Sequence, residues 1–100
     1  MIRFQRSIRS ARGKGLEATQ WAKEVTEYIN GKHPDTSIQV FSPRFGDIST
    51  IVWQVDLSDL AALDKFQQGL NADEGYWAMV KKSNELFIEG SVNDTVFESV

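Results

Sequence analysis

Ile2-Arg3-Phe4-Gln5-Arg6-Ser7-Ile8-Arg9 alternates apolar and polar side chains, and soon after it Ala18, Trp21, Ala22, Val25, Tyr28 and Ile29 recur at spacings of three and four. The first pattern is that of a strand with one buried face, the second that of a helix with one apolar stripe. Gly13 and Gly15 stand between them and permit the change of direction. On the strand, Ile2, Phe4 and Ile8 share a face with Arg6, while Arg3, Gln5, Ser7 and Arg9 take the other. The helix is predicted to stop at Asn30-Gly31, ahead of Pro34. A strand passing directly into an amphipathic helix opens a layered domain of sheet and helices.

The rest of the chain continues that plan. Residues 37–45 and 48–57 are rich in β-branched and aromatic residues, and Gly46-Asp47 between them suits a two-residue hairpin turn. Ser58 is the predicted N-cap of a second helix, with Asp59 assisting at its positive end and Leu60, Leu63, Phe66 or Gln67, and Leu70 facing inward. Gly69 and Asn71 interrupt it, and a further short helix runs from about Asp73 to Ser83, ending in Lys81-Lys82. Residues 85–92 alternate once more and are predicted as the fourth strand, Asn93-Asp94 as a turn, and Thr95-Val96-Phe97 as a tail.

Bulk properties narrow the class. One hundred residues, 41% hydrophobic and 25% charged, suit one folded domain. With no cysteine, disulfides, thiolate metal sites and cysteine nucleophiles are all excluded. The N-terminus lacks the apolar core of a secretory signal and no stretch is apolar enough to span a bilayer, so a cytoplasmic protein without a membrane partner is expected. A net charge of −3 argues against nucleic acid as a partner. The charge is uneven: residues 1–14 carry five cations (Arg3, Arg6, Arg9, Arg12, Lys14) and no acid, so the remainder holds −8.

An element order of β-α-β-β-α-β with right-handed crossovers is the ferredoxin-like α+β arrangement, a four-stranded antiparallel sheet with its helices on one face. The other face is left bare. Its predicted members are Arg3, Gln5, Ser7, Arg9, Gln39, Phe41, Val52, Gln54, Phe87 and Glu89, too apolar for a plain solvent face and too polar for a dry core. Such a face suits a second sheet meeting it around a partly wet cavity. The order of elements, the broken second helix and the ending Asn84-Glu85-Leu86-Phe87-Ile88-Glu89-Gly90-Ser91-Val92-Asn93-Asp94 resemble the dimeric α/β-barrel superfamily, its small NIPSNAP-like members in particular. The resemblance implies a homodimer whose facing sheets enclose a pocket. That superfamily includes cofactor-independent oxygenases, haem-degrading enzymes and isomerases, and no catalytic motif of theirs maps onto this chain. Fold alone therefore leaves the activity open.

On this reading Arg3, Gln5, Phe41, Gln54, Phe87 and Glu89 line a pocket for a small organic molecule, acidic or aromatic. A cofactor-independent oxygenase or isomerase is the alternative, and no cofactor is expected. Of the adjacent Tyr76 and Trp77, one faces the pocket mouth or the subunit contact, and Trp77 is counted among the pocket candidates. Trp21, Tyr28 and Trp53 fit core packing. His33, the only histidine, falls in the turn Gly31-Lys32-His33-Pro34-Asp35, expected at the outer end of the sheet and remote from any metal or haem site. Gly13-Lys14-Gly15 lacks the spacing of a phosphate loop, and Ser7, Ser42, Ser49 and Ser91 have no nucleophile-elbow context. The arginines of the first strand are balanced by acids such as Asp56 or Glu89, or else Arg3 or Arg9 pairs an acidic ligand.

Overall fold

The alternation of the first residues is realised as a strand, β1 (Ile2–Arg9), at the interior of an antiparallel sheet. The computed structural model describes residues 1–100. After β1 come α1 (Gly15–Lys32), β2 (Ile38–Phe41), β3 (Thr50–Leu57), α2 (Leu60–Asn71), α3 (Glu74–Lys82) and β4 (Asn93–Glu98), with the strands ordered β2-β3-β1-β4. This is the ferredoxin-like α+β fold, its second helix broken into α2 and α3.

Register sorts the side chains into two faces. Phe4 lies opposite Val55 and Val96, and Ile38 opposite Val55, so these rows meet the helices. Ile2, Val25, Ile29, Ile38, Val55, Leu57, Leu63 and Phe66 form the main buried cluster, and Ala18, Ala22 and Ile51 a smaller one beneath the first half of α1. On the other face Gln39, Gln54, Gln5 and Thr95 form one row across all four strands, flanked by Arg3, Asp56 and Phe97 on one side and Phe41, Val52, Ser7 and Asn93 on the other.

The element boundaries depart from expectation where one side chain or backbone group decides them. α1 runs past Asn30 to Lys32 because Gly31 is not used as a left-handed cap. Asn30 instead pairs its side-chain amide with both backbone groups of Ile38, at 3.0 and 2.8 Å, and so seats β2. Pro43, which has no N–H to offer a ladder, follows shortly on the end of β2 at Phe41, so residues 42–49 form a longer connection in place of the two-residue turn. Gly46 does take positive φ there, and Asp47 folds back to accept from Ser49 N and Oγ. Asp59, not Ser58, caps α2, its carboxylate accepting from Ala62 N at 2.8 Å. The fourth strand is Asn93–Glu98, where a turn and tail were expected; residues 85–92 form no strand, meeting the end of β1 through the bridge between Ser10 and Phe87 and the bond from Arg9 N to Ser91 Oγ at 3.1 Å, and turning at Gly90, whose φ is +78°. No helix is long and apolar enough to cross a membrane.

Candidate functional site

The candidate site lies where α2 gives way to α3 over the sheet. Asp73 caps α3, accepting from Tyr76 N at 3.1 Å, and α3 leaves the line of α2 at that point. The sheet and the helix layer then stand apart around a cavity of about 180 Å³. Phe4, Arg6, Ile8, Trp53 and Val55 form its sheet wall, and Trp21, Val25 and Ile29 of α1 its roof. Phe66 and Leu70 of α2, Tyr76 and Val80 of α3, and Phe87 and Val92 from the segment ahead of β4 complete it. The aromatic rings stack edge to face, Trp21 against Trp53 at 6.2 Å and against Phe87 at 5.4 Å between centroids, a stable geometry for neighbouring rings.

Most polar groups at this cavity are already satisfied. Trp21 Nε1 donates to Met79 O at 2.9 Å and Trp53 Nε1 to Thr26 Oγ1 at 3.0 Å. The buried Ser83 hydroxyl donates to Val80 O at 2.6 Å. Gln54 borders the cavity, but its side chain is turned to the opposite face, where Oε1 accepts from Gln5 Nε2 at 2.9 Å. Arg6 is different. Its Nε and Nη2 make a fork to both oxygens of Asp94 at 2.7 and 2.8 Å, its guanidinium lies 5.7 Å from the centre of the Phe4 ring, and Nη1 has no protein partner. The Tyr76 hydroxyl likewise makes no hydrogen bond to the protein, and burial raises its pKa, which keeps it a neutral phenol.

A second polar cluster fixes the frame around this cavity. Asp73 Oδ1 accepts from the Tyr28 hydroxyl at 2.7 Å, and Oδ2 lies 3.3 Å from His33 Nε2. These bonds hold the Asp73 carboxyl below its ordinary pKa, the Tyr28 hydrogen bond contributing most, and raise that of Tyr28. His33 is therefore not a free surface residue: it stands edge-on to Phe66 at 6.4 Å between ring centroids and packs against Gly69. A methyl group at Gly75 would overlap the Tyr28 hydroxyl, so a glycine inside α3 makes room for the cluster. No group of three His, Asp or Glu side chains comes together as a metal site would require.

Four of the residues proposed from sequence do share the bare sheet face. Arg3 forks onto Asp56 at 2.8 and 3.0 Å, a bond that lowers the Asp56 pKa and raises that of Arg3. Gln5 and Gln54 bond each other, and Phe41 lies exposed at the edge of the same face. Phe87 is on the other side of the sheet, against Trp21, because the segment that carries it is no strand and follows no strand parity. Glu89 is exposed beside the turn at Gly90 and makes no ion pair. Of the adjacent aromatics, Tyr76 lines the cavity. Trp77 stays about half exposed, donating Nε1 to Asn71 O and meeting Tyr76 edge to face. Arg6 escaped the sequence reading, although a lone cation among Ile2, Phe4 and Ile8 was the available sign.

A four-stranded β2-β3-β1-β4 sheet with its helices on one face defines the class by its fold, ferredoxin-like α+β, which solved NIPSNAP domain proteins share. Among solved structures, an uncharacterised NIPSNAP domain protein from Burkholderia xenovorans superimposes with a TM-score of 0.83 at 14% identity, over 100% of this chain and 95% of that one. A NIPSNAP family protein from Agrobacterium tumefaciens gives 0.77 at 17% identity, over 99% and 92%. A protein described as an antibiotic biosynthesis monooxygenase gives 0.72 at 16% identity, over 100% and 99%. Neither a protein-family model nor a curated protein sequence matches the chain.

Proposed function

We propose that this protein binds a small ring-bearing organic molecule in the cavity between sheet and helices, and that a second copy of the chain covers the bare sheet face. The observation that carries the first part is the lining itself: 14 of the 17 residues around the cavity are hydrophobic, several of them aromatic, in a space of about 180 Å³. An apolar cavity of roughly 150 Å³ is large enough to take benzene. Binding sites for small molecules combine such a lining with a few placed polar groups, here Arg6 and Tyr76. The site belongs to one subunit, unlike the pocket between sheets expected from the sequence.

The test uses NMR titration of the Trp21 and Trp53 indole N–H signals with single-ring compounds. Val80→Trp fills the cavity from α3, whereas Phe41→Ala alters only the bare face. The expected result is a set of ligand-induced shifts lost in the Val80 variant and kept in the Phe41 variant. The opposite pattern would place the ligand between subunits and remove the basis of this reading. The fold likeness to the protein described as a monooxygenase favours a second reading, cofactor-free oxidation of a bound phenol to a quinone by O2, one oxygen atom entering the ring and the other leaving as water with electrons drawn from the ring itself. Oxygen uptake with phenolic ring compounds separates that activity from binding alone.

A further inference from the structure

The polar corner of the cavity restricts the kind of oxygen a ligand can bring, an inference that rests on the cavity being the binding site. With the indoles of Trp21 and Trp53 and the hydroxyl of Ser83 committed to protein acceptors, Arg6 Nη1 and the Tyr76 hydroxyl are the groups left to address a ligand. Arg6 and Tyr76 both line the cavity together with Phe4.

What they favour depends on Asp94. An arginine facing a cavity alone would invite a carboxylate, because its planar fork matches two anionic oxygens. Here that fork is already taken, Nε and Nη2 both being bound to Asp94 across the β1–β4 pairing, where Arg6 stands directly opposite it. The pair sums to zero. A ligand carboxylate would give up its hydration to meet a neutralised cation, with a second anion beside it, and like charges at such range disfavour each other. An uncharged oxygen meets no such penalty. It accepts from Nη1 and exchanges a second hydrogen bond with the neutral Tyr76 phenol, while its ring occupies the apolar remainder.

We propose that the cavity selects ring compounds bearing an uncharged oxygen, a phenol, ketone or quinone, over the matching carboxylates, and that Asp94 sets this preference. The acidic ligands admitted by the sequence reading are thereby disfavoured. The test compares p-cresol, p-toluate and p-xylene at neutral pH by NMR titration of the two indole signals, in the wild type, in Asp94→Asn and in Arg6→Gln.

The wild type is expected to bind p-cresol roughly tenfold more tightly than p-toluate and more tightly than p-xylene, the size of effect expected from one like-charge contact at a half-exposed site. Asp94→Asn uncovers the Arg6 charge and shifts the cresol-to-toluate ratio about tenfold toward p-toluate. Arg6→Gln, which keeps a donor but no charge, leaves Asp94 alone and makes p-toluate weaker still. A wild type that prefers p-toluate, or a ratio unmoved in both variants, overturns the inference and leaves the cavity as a binding site. If none of the three compounds moves either indole signal, the cavity reading falls and this inference with it.

Discussion

Asp73 is the residue on which the most separate elements converge. Tyr28 from α1, His33 at the end of it and the Tyr76 amide of α3 all reach its carboxylate, which lowers its pKa. A carboxyl whose folded-state pKa is depressed adds stability above its unfolded value and loses it as pH falls through the lower folded value. Asp73→Asn keeps an effective helix cap and removes only the charge. Its urea midpoint is expected to lie below that of the wild type near neutral pH, and the gap to close as pH drops below the ordinary carboxylate value of 3.8. A gap independent of pH would show that the ionised form carries no special stability. None of this was legible from the sequence. His33 sat between Gly31 and Pro34, as a surface turn would, and its partner lies 40 residues away. Period and propensity are local signals, and a hydrogen bond between distant loops leaves none.

Elements were legible to the extent that their side chains alternate, which is why β1, α1, β3 and the broken second helix were readable and β4 was not. Residues 85–92 carry a period of two, whereas 93–98 set Val96 and Phe97 side by side and carry none, so pattern points to the first segment and only pairing to the second. The pairing goes to 93–98, with Phe4 opposite Val96 and Arg6 opposite Asp94, while Phe87 is used as a wedge against Trp21. α1 was recognised by its stripe, but its angle on the sheet is set by a bond that pattern cannot show. Trp53 Nε1 of β3 donates to Thr26 Oγ1, which in turn donates to Ala22 O at 2.7 Å. Thr26→Val preserves shape and branching and leaves the indole N–H without its acceptor. We expect a loss of about 1–3 kcal/mol by chemical denaturation, the usual cost of an unpaired buried donor, with Thr26→Ser close to the wild type. Equal stability of the Val and Ser variants would mean that packing alone docks α1.

At the scale of the molecule, strand parity identified a bare sheet face, while the standoff of the helix layer that makes the cavity depends on how α2 and α3 diverge. The chemistry of that face argues for a second copy as its cover. In a two-fold interface the same patch meets itself, so any net charge on it is doubled into repulsion. Here the charges cancel within the subunit, Arg3 by Asp56 and Arg9 by Asp47 of the neighbouring connection, at 2.8 and 3.2 Å. Phe41, Val52 and Phe97 supply apolar surface around the glutamine row. Light scattering at micromolar concentration should therefore give about twice the 11.3 kDa chain mass. Asp56→Arg places two cations side by side on each subunit and four across the axis, and its mass should fall toward that of one chain. Adding Arg3→Asp restores neutrality with the pair reversed, and the mass should recover. A wild type of single-chain mass would refute the dimer outright. A dimer that Asp56→Arg leaves intact would mean that the subunits meet through some other surface, and that the cancelled charges of this face serve the fold of one chain alone.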